Sequence, residues 1–252
     1  MTARLRNRSH ALQALAGFVL LGVAWEIAGQ TRLLGPSWPP LSRVAAALTS
    51  PTNFGLFQRG LSATLGEALL GYVIGIGLAA VSAMLCMLVP RLYAPIYRLS
   101  AILTAIPIVA VAGLLVSVLP REACPVAVAI LAVYFTGFVA ILAGFESASP
   151  VHQDLLTVLG ATRQVRFFRL QAPAALPALV DGLKLGAPAA VLGAIVGEWF
   201  GAERGLGPLL VSSMQNYRID IMWSAALLGA GVSMLVYGLL GVVERRVAAD
   251  FR

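Results

Sequence analysis

The chain has 252 residues, of which 59% are hydrophobic and only 12% are charged, and its formal net charge is +7. Soluble domains carry about a quarter charged residues, so this composition predicts a protein that lies in a lipid bilayer, with no room for a separate soluble catalytic domain. The basic residues are scattered among apolar runs instead of forming one basic face, which argues against a nucleic-acid-binding protein.

Six apolar segments are long enough to cross a bilayer as helices, since one crossing needs about 20 residues. They cover residues 12–28, 64–89, 96–119, 125–145, 176–200 and 221–243. We therefore expect an all-α membrane protein with a single transmembrane domain over residues 1–252.

The basic head and apolar run at the N terminus also fit a secretory signal peptide, but residues 26–28 form a poor cleavage site and further spans follow. We favour an uncleaved first span.

The distribution of arginine predicts the orientation of the chain. With the N terminus in the cytoplasm, residues 4–8, 91–98, 163–169 and 245–252 lie on the same side and carry most of the arginines. Because short cytoplasmic loops are enriched in basic residues, we expect both termini in the cytoplasm. The outer loop then contains a rigid Gly-Pro-Ser-Trp-Pro-Pro turn at residues 35–40, followed by a short interfacial helix at residues 41–48, with Trp38 at headgroup depth.

Prolines and small residues distinguish two of the predicted spans. Pro95, Pro107 and Pro120 punctuate the third span, which is therefore either simply kinked or a flexible helix that lines a pore. In the fifth span, small residues recur at every fourth position: Ala189, Gly193, Gly197 and Gly201. This spacing predicts close helix packing, with a protomer interface or a transport path nearby.

Several ionisable residues lie near the ends of the predicted spans, where burial is costly and often marks function. Asp181 and Lys184 are three positions apart on one helix, so we expect them to pair with each other. Glu198 lies near the outer boundary, where we expect it to pair with Arg204 or to shape the outer mouth. The middles of all six predicted spans lack ionisable groups, which argues against a proton-coupled carrier.

The sequence lacks the residue patterns of an enzyme. The two histidines, His10 and His152, lie outside the spans, and the two cysteines have no paired spacing, so we expect no metal site. No phosphate-binding loop is present, and the single lysine is followed by leucine. We therefore expect no catalytic residue and no cofactor in this chain, and any use of ATP requires another chain.

Residues 154–177 read DLLTVLGATRQVRFFRLQAPAALP and form a charged island between two apolar segments. Asp154 suits the first turns of a helix whose apolar stripe is Leu155, Leu156 and Leu159, and Gly160 ends that helix. A second helical segment then carries arginines at positions 163, 166 and 169 on one face. The pattern predicts a bent helix pair on the cytoplasmic face of the membrane.

The island resembles the cytoplasmic "EAA" loop of ATP-binding-cassette importer permeases. The resemblance is carried by the run from Asp154 to Gly160, followed by Leu170, Pro173 and Pro177. Four further segments resemble the permeases of the nitrate, sulfonate, taurine and bicarbonate type: LTAIP at 103–107, LGAT at 159–162, PAALP at 173–177, and GEWF at 197–200 leading to GLG at 205–207. The resemblance extends over residues 36–246.

This resemblance implies a type I importer permease fold, a homodimer in the bacterial inner membrane, and a small anionic or vitamin-like cargo. It implies separate ATPase subunits that bind ATP and Mg, and a periplasmic or lipid-anchored solute-binding protein. Residues 150–175 would be the coupling helix, and its candidate docking residues are Asp154, Leu155, Leu156, Leu159, Gly160, Ala161, Arg163 and Pro173. The candidate residues of the translocation path are Thr104, Pro107, Gly193, Gly197 and Glu198. Asp154 replaces the family's glutamate, and two leucines replace its Ala-Ala.

Two alternatives come from other classes of membrane protein. An energy-coupling-factor scaffold also couples to ATPases through cytoplasmic helices, but its paired Ala-Arg-Gly signatures are missing from this sequence. An ATP-independent secondary carrier would show internal repeats and ion sites at the membrane midplane. The uncharged middles of the predicted spans disfavour that alternative.

Overall fold

The computed structural model describes the backbone of residues 2–250 and, within it, the side chains of residues 13, 16–242 and 244. Throughout this described range the regular structure is helical. In chain order the helices are α1 (Thr2–Gln30), α2 (Leu41–Thr49), α3 (Pro51–Leu88), α4 (Pro90–Ala105), α5 (Ile108–Val118), α6 (Cys124–Glu146), α7 (Pro150–Val158), α8 (Arg163–Arg166), a π-helical turn (Phe167–Gln171), α9 (Ala172–Ala174), α10 (Leu176–Glu198), α11 (Leu206–Gln215) and α12 (Ile219–Asp250). The all-α prediction is confirmed.

Four helices in the described part of the chain are long and apolar enough to cross a membrane: α3, α6, α10 and residues Ile219–Val242 of α12. They contain most of the predicted second, fourth, fifth and sixth spans. The predicted first span lies in α1, where residues Ala16–Gln30 form a shorter apolar helix. The predicted helix at residues 41–48 is α2.

The third predicted span is not one continuous helix. It breaks at Ile106 and Pro107, and the axes of α4 and α5 differ by 96°. Pro107 has no N–H to donate and its ring crowds the preceding turn, while Ile106, as the residue before proline, is extended (φ −83°, ψ 125°). The carbonyl of Pro107 then accepts from Ala110 and Val111 to start α5. The predicted span over residues 96–119 is therefore a broken pair of helices, and the interruption lies at Pro107, one of the three prolines expected to bend it.

The chain divides into two compact units, and the first contains residues 1–58 and 209–227. Its centre is a cluster of Trp25, Trp38 and Trp223, whose ring centroids lie 4.8–5.0 Å apart. The indole of Trp25 donates to the carbonyl of Pro39 at 3.0 Å, and that of Trp223 donates to Ser37 at 2.9 Å. The proline-rich turn is thus held by tryptophans from α1 and α12, and Trp38 itself packs in this cluster.

The second unit contains residues 59–208 and 228–252 and is built around α3, α6 and α10. Small residues bring these helices close together. A Cβ atom built on Gly197 would lie 2.5 Å from the Cα of Pro125, and one on Gly193 would lie 2.8 Å from the Cα of Ala129. Because the backbones of α6 and α10 approach this closely, the predicted packing role of the glycine stripe is confirmed.

Lys184 does not pair with Asp181, contrary to the expectation from their spacing. Its Nζ binds Oε2 of Glu244 at 2.7 Å and lies 4.6 Å from the centroid of the Tyr237 ring. Asp181 is exposed. Both partners of Lys184 come from α12, whose second half lies beside α10. Glu244 is less exposed than Asp181, and spacing along α10 alone could not indicate a partner on another helix.

We predict that Gly197→Leu destabilises the protein, because its side chain has no space between α6 and α10. Overpacking of a tight contact typically costs about 1–3 kcal/mol. The measurement is the thermal unfolding midpoint of the purified protein in detergent. Gly77→Leu is the matched control, since no described atom lies within 4 Å of a Cβ at Gly77 of α3. An equal midpoint for the two variants would contradict the packing role of Gly197.

Candidate functional site

The bend predicted in the charged island is centred on Gly160. After α7 ends, Gly160 adopts a φ of +75°, a conformation that side chains with a Cβ rarely adopt. No described atom lies within 4 Å of a Cβ at this position, so conformation and not space requires glycine. The N–H groups of Gly160 and Ala161 donate to the carbonyls of Thr157 and Leu156 and close the end of the helix. The predicted turn is confirmed.

Two arginines hold the bent segment in place. Arg163 donates from Nε to the carbonyl of Met87 at 2.5 Å, in the last turn of α3. Arg166 donates from Nη1 to the hydroxyl of Thr157 at 2.6 Å and so links the second arm of the bend to α7. Arg163, a candidate docking residue, is therefore directed toward its own chain.

The π-helical turn that follows anchors the island on α6. Phe167 is buried and its ring packs edge-to-face on Phe145 with the centroids 4.9 Å apart. Pro173, in the short helix α9, is exposed and leads into α10. The island thus contacts the ends of two membrane helices directly.

One face of α7 is apolar and points away from the rest of the second unit. Leu155 is 54% exposed, Leu159 71% and Val158 85%, and Val151 is exposed beside them. Asp154 is exposed next to this face, whereas Leu156 is partly buried. An exposed apolar face outside the membrane-spanning helices is a candidate interaction surface. We call Val151, Leu155, Val158 and Leu159 the α7 apolar face.

Val151 and Val158 were not among the predicted docking residues. Their spacing from Leu155, four positions before and three after, is the helical periodicity that places side chains on one face. This signal is present in the sequence, but Val151 precedes the motif at residues 154–160 and Val158 occupies one of the motif's unspecified positions.

Glu198, the last residue of α10, lies in a buried network at the other end of that helix. It is 1% exposed. Its Oε1 accepts from the hydroxyl of Thr64 at 2.6 Å, and its Oε2 accepts from the N–H of Gly207 at 2.6 Å. The Thr64 oxygen in turn accepts from the N–H of Leu206 at 2.8 Å. Among the described contacts, Glu198 does not pair with Arg204, so the expected ion pair is wrong, while a role in shaping the outer mouth stays a prediction.

The Gly-Leu-Gly turn at residues 205–207 leaves room for the Glu198 carboxyl. Gly205 has a φ of +126°, and a Cβ on Gly207 would lie 2.5 Å from the Cβ of Glu198. A longer residue at either position would displace the carboxyl. Backbone N–H groups at the start of a helix satisfy a carboxyl group well, which explains why Glu198 is found at the first turn of α11.

Thr104 and Pro107 lie at the break between α4 and α5, beside a cavity of about 270 Å³. We call it the break cavity. Its lining residues are Leu103, Thr104, Ile106, Pro107, Ile108 and Val111 of the broken pair, with Leu131, Ala132, Tyr134, Phe135 and Thr136 of α6. Of the five candidate path residues, the structure brings these two together. Gly193 and Gly197 lie in the contact between α6 and α10, and Glu198 lies in its own network.

We predict that Glu198→Gln destabilises the turn at residues 205–207. The glutamine side chain has one acceptor oxygen where Glu198 has two, so it cannot accept from both the Thr64 hydroxyl and the Gly207 N–H. A buried N–H group without a partner costs about 1–3 kcal/mol. The measurement is the unfolding midpoint of the purified protein, with Glu203→Gln, an exposed neighbour, as control. If the two variants unfold at the same temperature, the network does not stabilise this turn.

Comparisons with known proteins agree with this architecture. The chain matches the model of the family described as "Binding-protein-dependent transport system inner membrane component" over residues 56–249. It is 31% identical over 205 residues to the formylaminopyrimidine transport permease protein of Halalkalibacterium halodurans, and the match covers 81% of each chain. It is 27% identical over 230 residues to the riboflavin transport system permease protein of Chloroflexus aurantiacus, covering 90% of this chain and 85% of that one.

Two solved structures share the fold. An inward-facing conformation of the MetNI methionine ABC transporter aligns with a TM-score of 0.67 at 18% identity, covering 79% of this chain and 99% of that chain. An amino acid ABC transporter crystallised with histidines aligns with a TM-score of 0.65 at 20% identity, covering 77% and 95%.

These matches extend over most of the chain, and they favour neither an energy-coupling-factor scaffold nor a secondary carrier. The chain belongs to the family of binding-protein-dependent transport system inner membrane components, and it is the multi-pass permease subunit of an ATP-binding-cassette importer.

Proposed function

We propose that residues 150–175 are the coupling helix through which this permease docks on separate ATPase subunits. The observation that carries the proposal is the α7 apolar face, on which four large aliphatic side chains are exposed at the bend. A groove on an ATPase would remove this surface from water and gain about 25 cal/mol for each Å² buried. Asp154, at the edge of the face, would add a polar contact. ATP and Mg would be bound by the partner subunits.

The contacts of the island suggest how movement of the docked loop reaches the other end of the permease. Arg163 binds the last turn of α3, and the same uninterrupted helix carries Thr64, which binds Leu206 and Glu198. From Thr64 to Met87 this helix is roughly 35 Å long, at about 1.5 Å per residue. We propose that α3 transmits the closure of the ATPase dimer to the turn at residues 205–207, as part of a rigid-body change of access.

The assembly that we propose is a homodimer of this permease with two ATPase subunits and a periplasmic or lipid-anchored solute-binding protein. Both termini and α7 would face the cytoplasm. Arginine-rich segments support this orientation, because the short segments at residues 91–98 and 163–169 would lie on the cytoplasmic side.

We further propose that the cargo is a vitamin-like nitrogen heterocycle. The two relatives described above are named for transport of formylaminopyrimidine and riboflavin, which are both nitrogen heterocycles. The motifs at residues 103–107 and 197–200 resemble permeases of the nitrate, sulfonate, taurine and bicarbonate type, and membership of that branch remains a prediction. Of the two kinds of cargo expected from the sequence, the named relatives support the vitamin-like one over an anion.

We predict that Leu155→Asp weakens association with the ATPase subunits. Burial of one leucine contributes about 1.5–3 kcal/mol, so its loss weakens binding by at least about tenfold. The measurement is co-purification of the ATPase with the tagged permease from membranes. Leu33→Asp is the matched control, because Leu33 is 78% exposed in the turn after α1. Wild-type co-purification of the Leu155→Asp variant would refute the docking proposal.

We predict a different effect for Arg163→Ala, which removes the contact with α3 and leaves the α7 apolar face unchanged. The ATPase should still co-purify, but stimulation of ATP hydrolysis by the importer's own solute-binding protein should fall several-fold. Arg169→Ala, an exposed arginine of the same island, is the control and should retain full stimulation. Full stimulation in both variants would show that Arg163 does not transmit the signal.

A further inference from the structure

We propose that the break cavity is a cargo-binding site within the permease, and that it accepts an uncharged, planar nitrogen heterocycle with a single ring system. This inference rests on the proposed import of a heterocyclic cargo. It goes further by assigning the site, the protein groups that contact the cargo, and a limit on cargo size.

The backbone at the break between α4 and α5 is exposed and lacks some of its helical hydrogen bonds. Residues 103–107 are all exposed in the protomer. The last carbonyls of α4 and the first N–H groups of α5 lack helical partners, as at any helix end. The hydrocarbon interior cannot satisfy such groups, so non-helical backbone at membrane depth must face either protein or a water-filled path. The break interrupts the α4 and α5 pair, which together is long and apolar enough to count as one membrane span, so this backbone belongs to a membrane segment.

The lining of the break cavity is uncharged. None of the lining residues, all of which belong to the described part of the chain, carries a charge. An ionised cargo would lose its hydration there without gaining an opposite charge, which is a large free-energy cost. The side walls are aliphatic, and Tyr134 and Phe135 add two aromatic rings that can pack on a flat ligand. The lining therefore favours an uncharged, planar cargo.

Two hydroxyl groups of the lining can accept hydrogen bonds from a ligand. Thr104 donates its hydrogen to the carbonyl of Ala101 at 2.8 Å, and Thr136 donates to that of Ala132 at 3.3 Å. A hydroxyl has a single hydrogen and two lone pairs, so both oxygens are left as acceptors. The Tyr134 hydroxyl is already engaged with Ser82 and Ser100, each at 3.2 Å. The available partners thus suit a ligand that donates N–H groups, such as an amino-substituted ring.

The volume of the cavity limits the size of the cargo. Pockets for drug-sized ligands enclose roughly 300–1,000 Å³, and the break cavity, at about 270 Å³, lies below the lower end of that range. A single pyrimidine-sized ring with small substituents fits this volume better than the three fused rings of a flavin. We therefore expect the cavity to discriminate between the cargo classes named for the two relatives.

The test uses thiol protection in the purified full-length permease in nanodiscs. The two native cysteines, Cys86 and Cys124, are each 1% exposed, so a maleimide reports mainly on an introduced thiol. We expect Thr104→Cys to react with maleimide, and saturating formylaminopyrimidine to slow that reaction several-fold, whereas riboflavin does not. Ser117→Cys, at an exposed hydroxyl position near the other end of α5, is the matched control and should not be protected.

Three results would overturn the proposal: a Thr104→Cys thiol that is unreactive without ligand, because a second copy covers it; equal protection by riboflavin; or no protection by formylaminopyrimidine.

A second variant does not depend on the introduced thiol. Thr104→Val combined with Thr136→Val should raise the Kd for formylaminopyrimidine about tenfold, since two acceptor contacts are lost. Thr49→Val, which loses the same kind of hydroxyl-to-carbonyl bond outside the cavity, should leave the Kd unchanged. A Kd unchanged by the double substitution would likewise refute the site.

These results are separable from those for the proposed function. ATP hydrolysis by the assembled importer, stimulated by its own solute-binding protein, reports on coupling and does not require a site in the break cavity. Stimulated hydrolysis without ligand protection would remove the cavity assignment and leave the coupling proposal in place. Ligand protection in a permease that recruits no ATPase would remove the coupling proposal and leave the cavity assignment in place.

Discussion

Lipid offers no hydrogen-bond partner to the backbone, and this constraint governs every membrane segment of the chain. Helices satisfy it internally, which is why the described structure is helical throughout its regular parts. Lipid also provides no hydrophobic drive to bring helices together, so close packing must come from small residues. Gly193 and Gly197 meet this second requirement by bringing the backbone of α10 against that of α6. The break at Pro107 is an exception to the first requirement, because some backbone groups there have no hydrogen-bond partner within a helix.

Two polar contacts of α3 in the second unit lie far apart along the helix. Met87 in its last turn accepts from Arg163 of the charged island, and Thr64, in the first half of the helix, links Leu206 with Glu198. A long helix held at two distant points moves as a rigid body more readily than it deforms, since its internal hydrogen bonds resist bending. The arrangement makes α3 a second physical connection between the island and the Gly-Leu-Gly turn, beside the covalent one through α10.

The sequence predicted the features that depend on local chemistry. Apolar windows located the spans at 125–145 and 176–200 because hydropathy alone determines which segments enter lipid. The bend at Gly160 was predicted because a left-handed residue between two helical runs calls for glycine. Pro107 is compatible with both a simple kink and a flexible, pore-lining helix, and the packing of neighbouring helices decides between the two.

The sequence failed where a partner lies far away along the chain. Lys184 binds Glu244, which is 60 positions distant, and Glu198 binds Thr64, which is 134 positions distant. Nearby residues of suitable charge, Asp181 and Arg204, were plausible partners by spacing, but helix packing brought other groups closer. Long-range pairing of this kind depends on which helices are neighbours, and periodicity within one helix carries no such information.

The tryptophan cluster of the first unit also determines how the protein can be observed. Three of the four tryptophans, Trp25, Trp38 and Trp223, stack within about 5 Å of one another, whereas Trp199 follows Glu198 in the second unit and is 46% exposed. Rings in such contact share their excitation and give strong near-ultraviolet circular dichroism, while a single half-exposed indole responds mainly to solvent polarity. The unmodified chain therefore contains two distinct optical reporters, one in each unit, that can be followed without any added label.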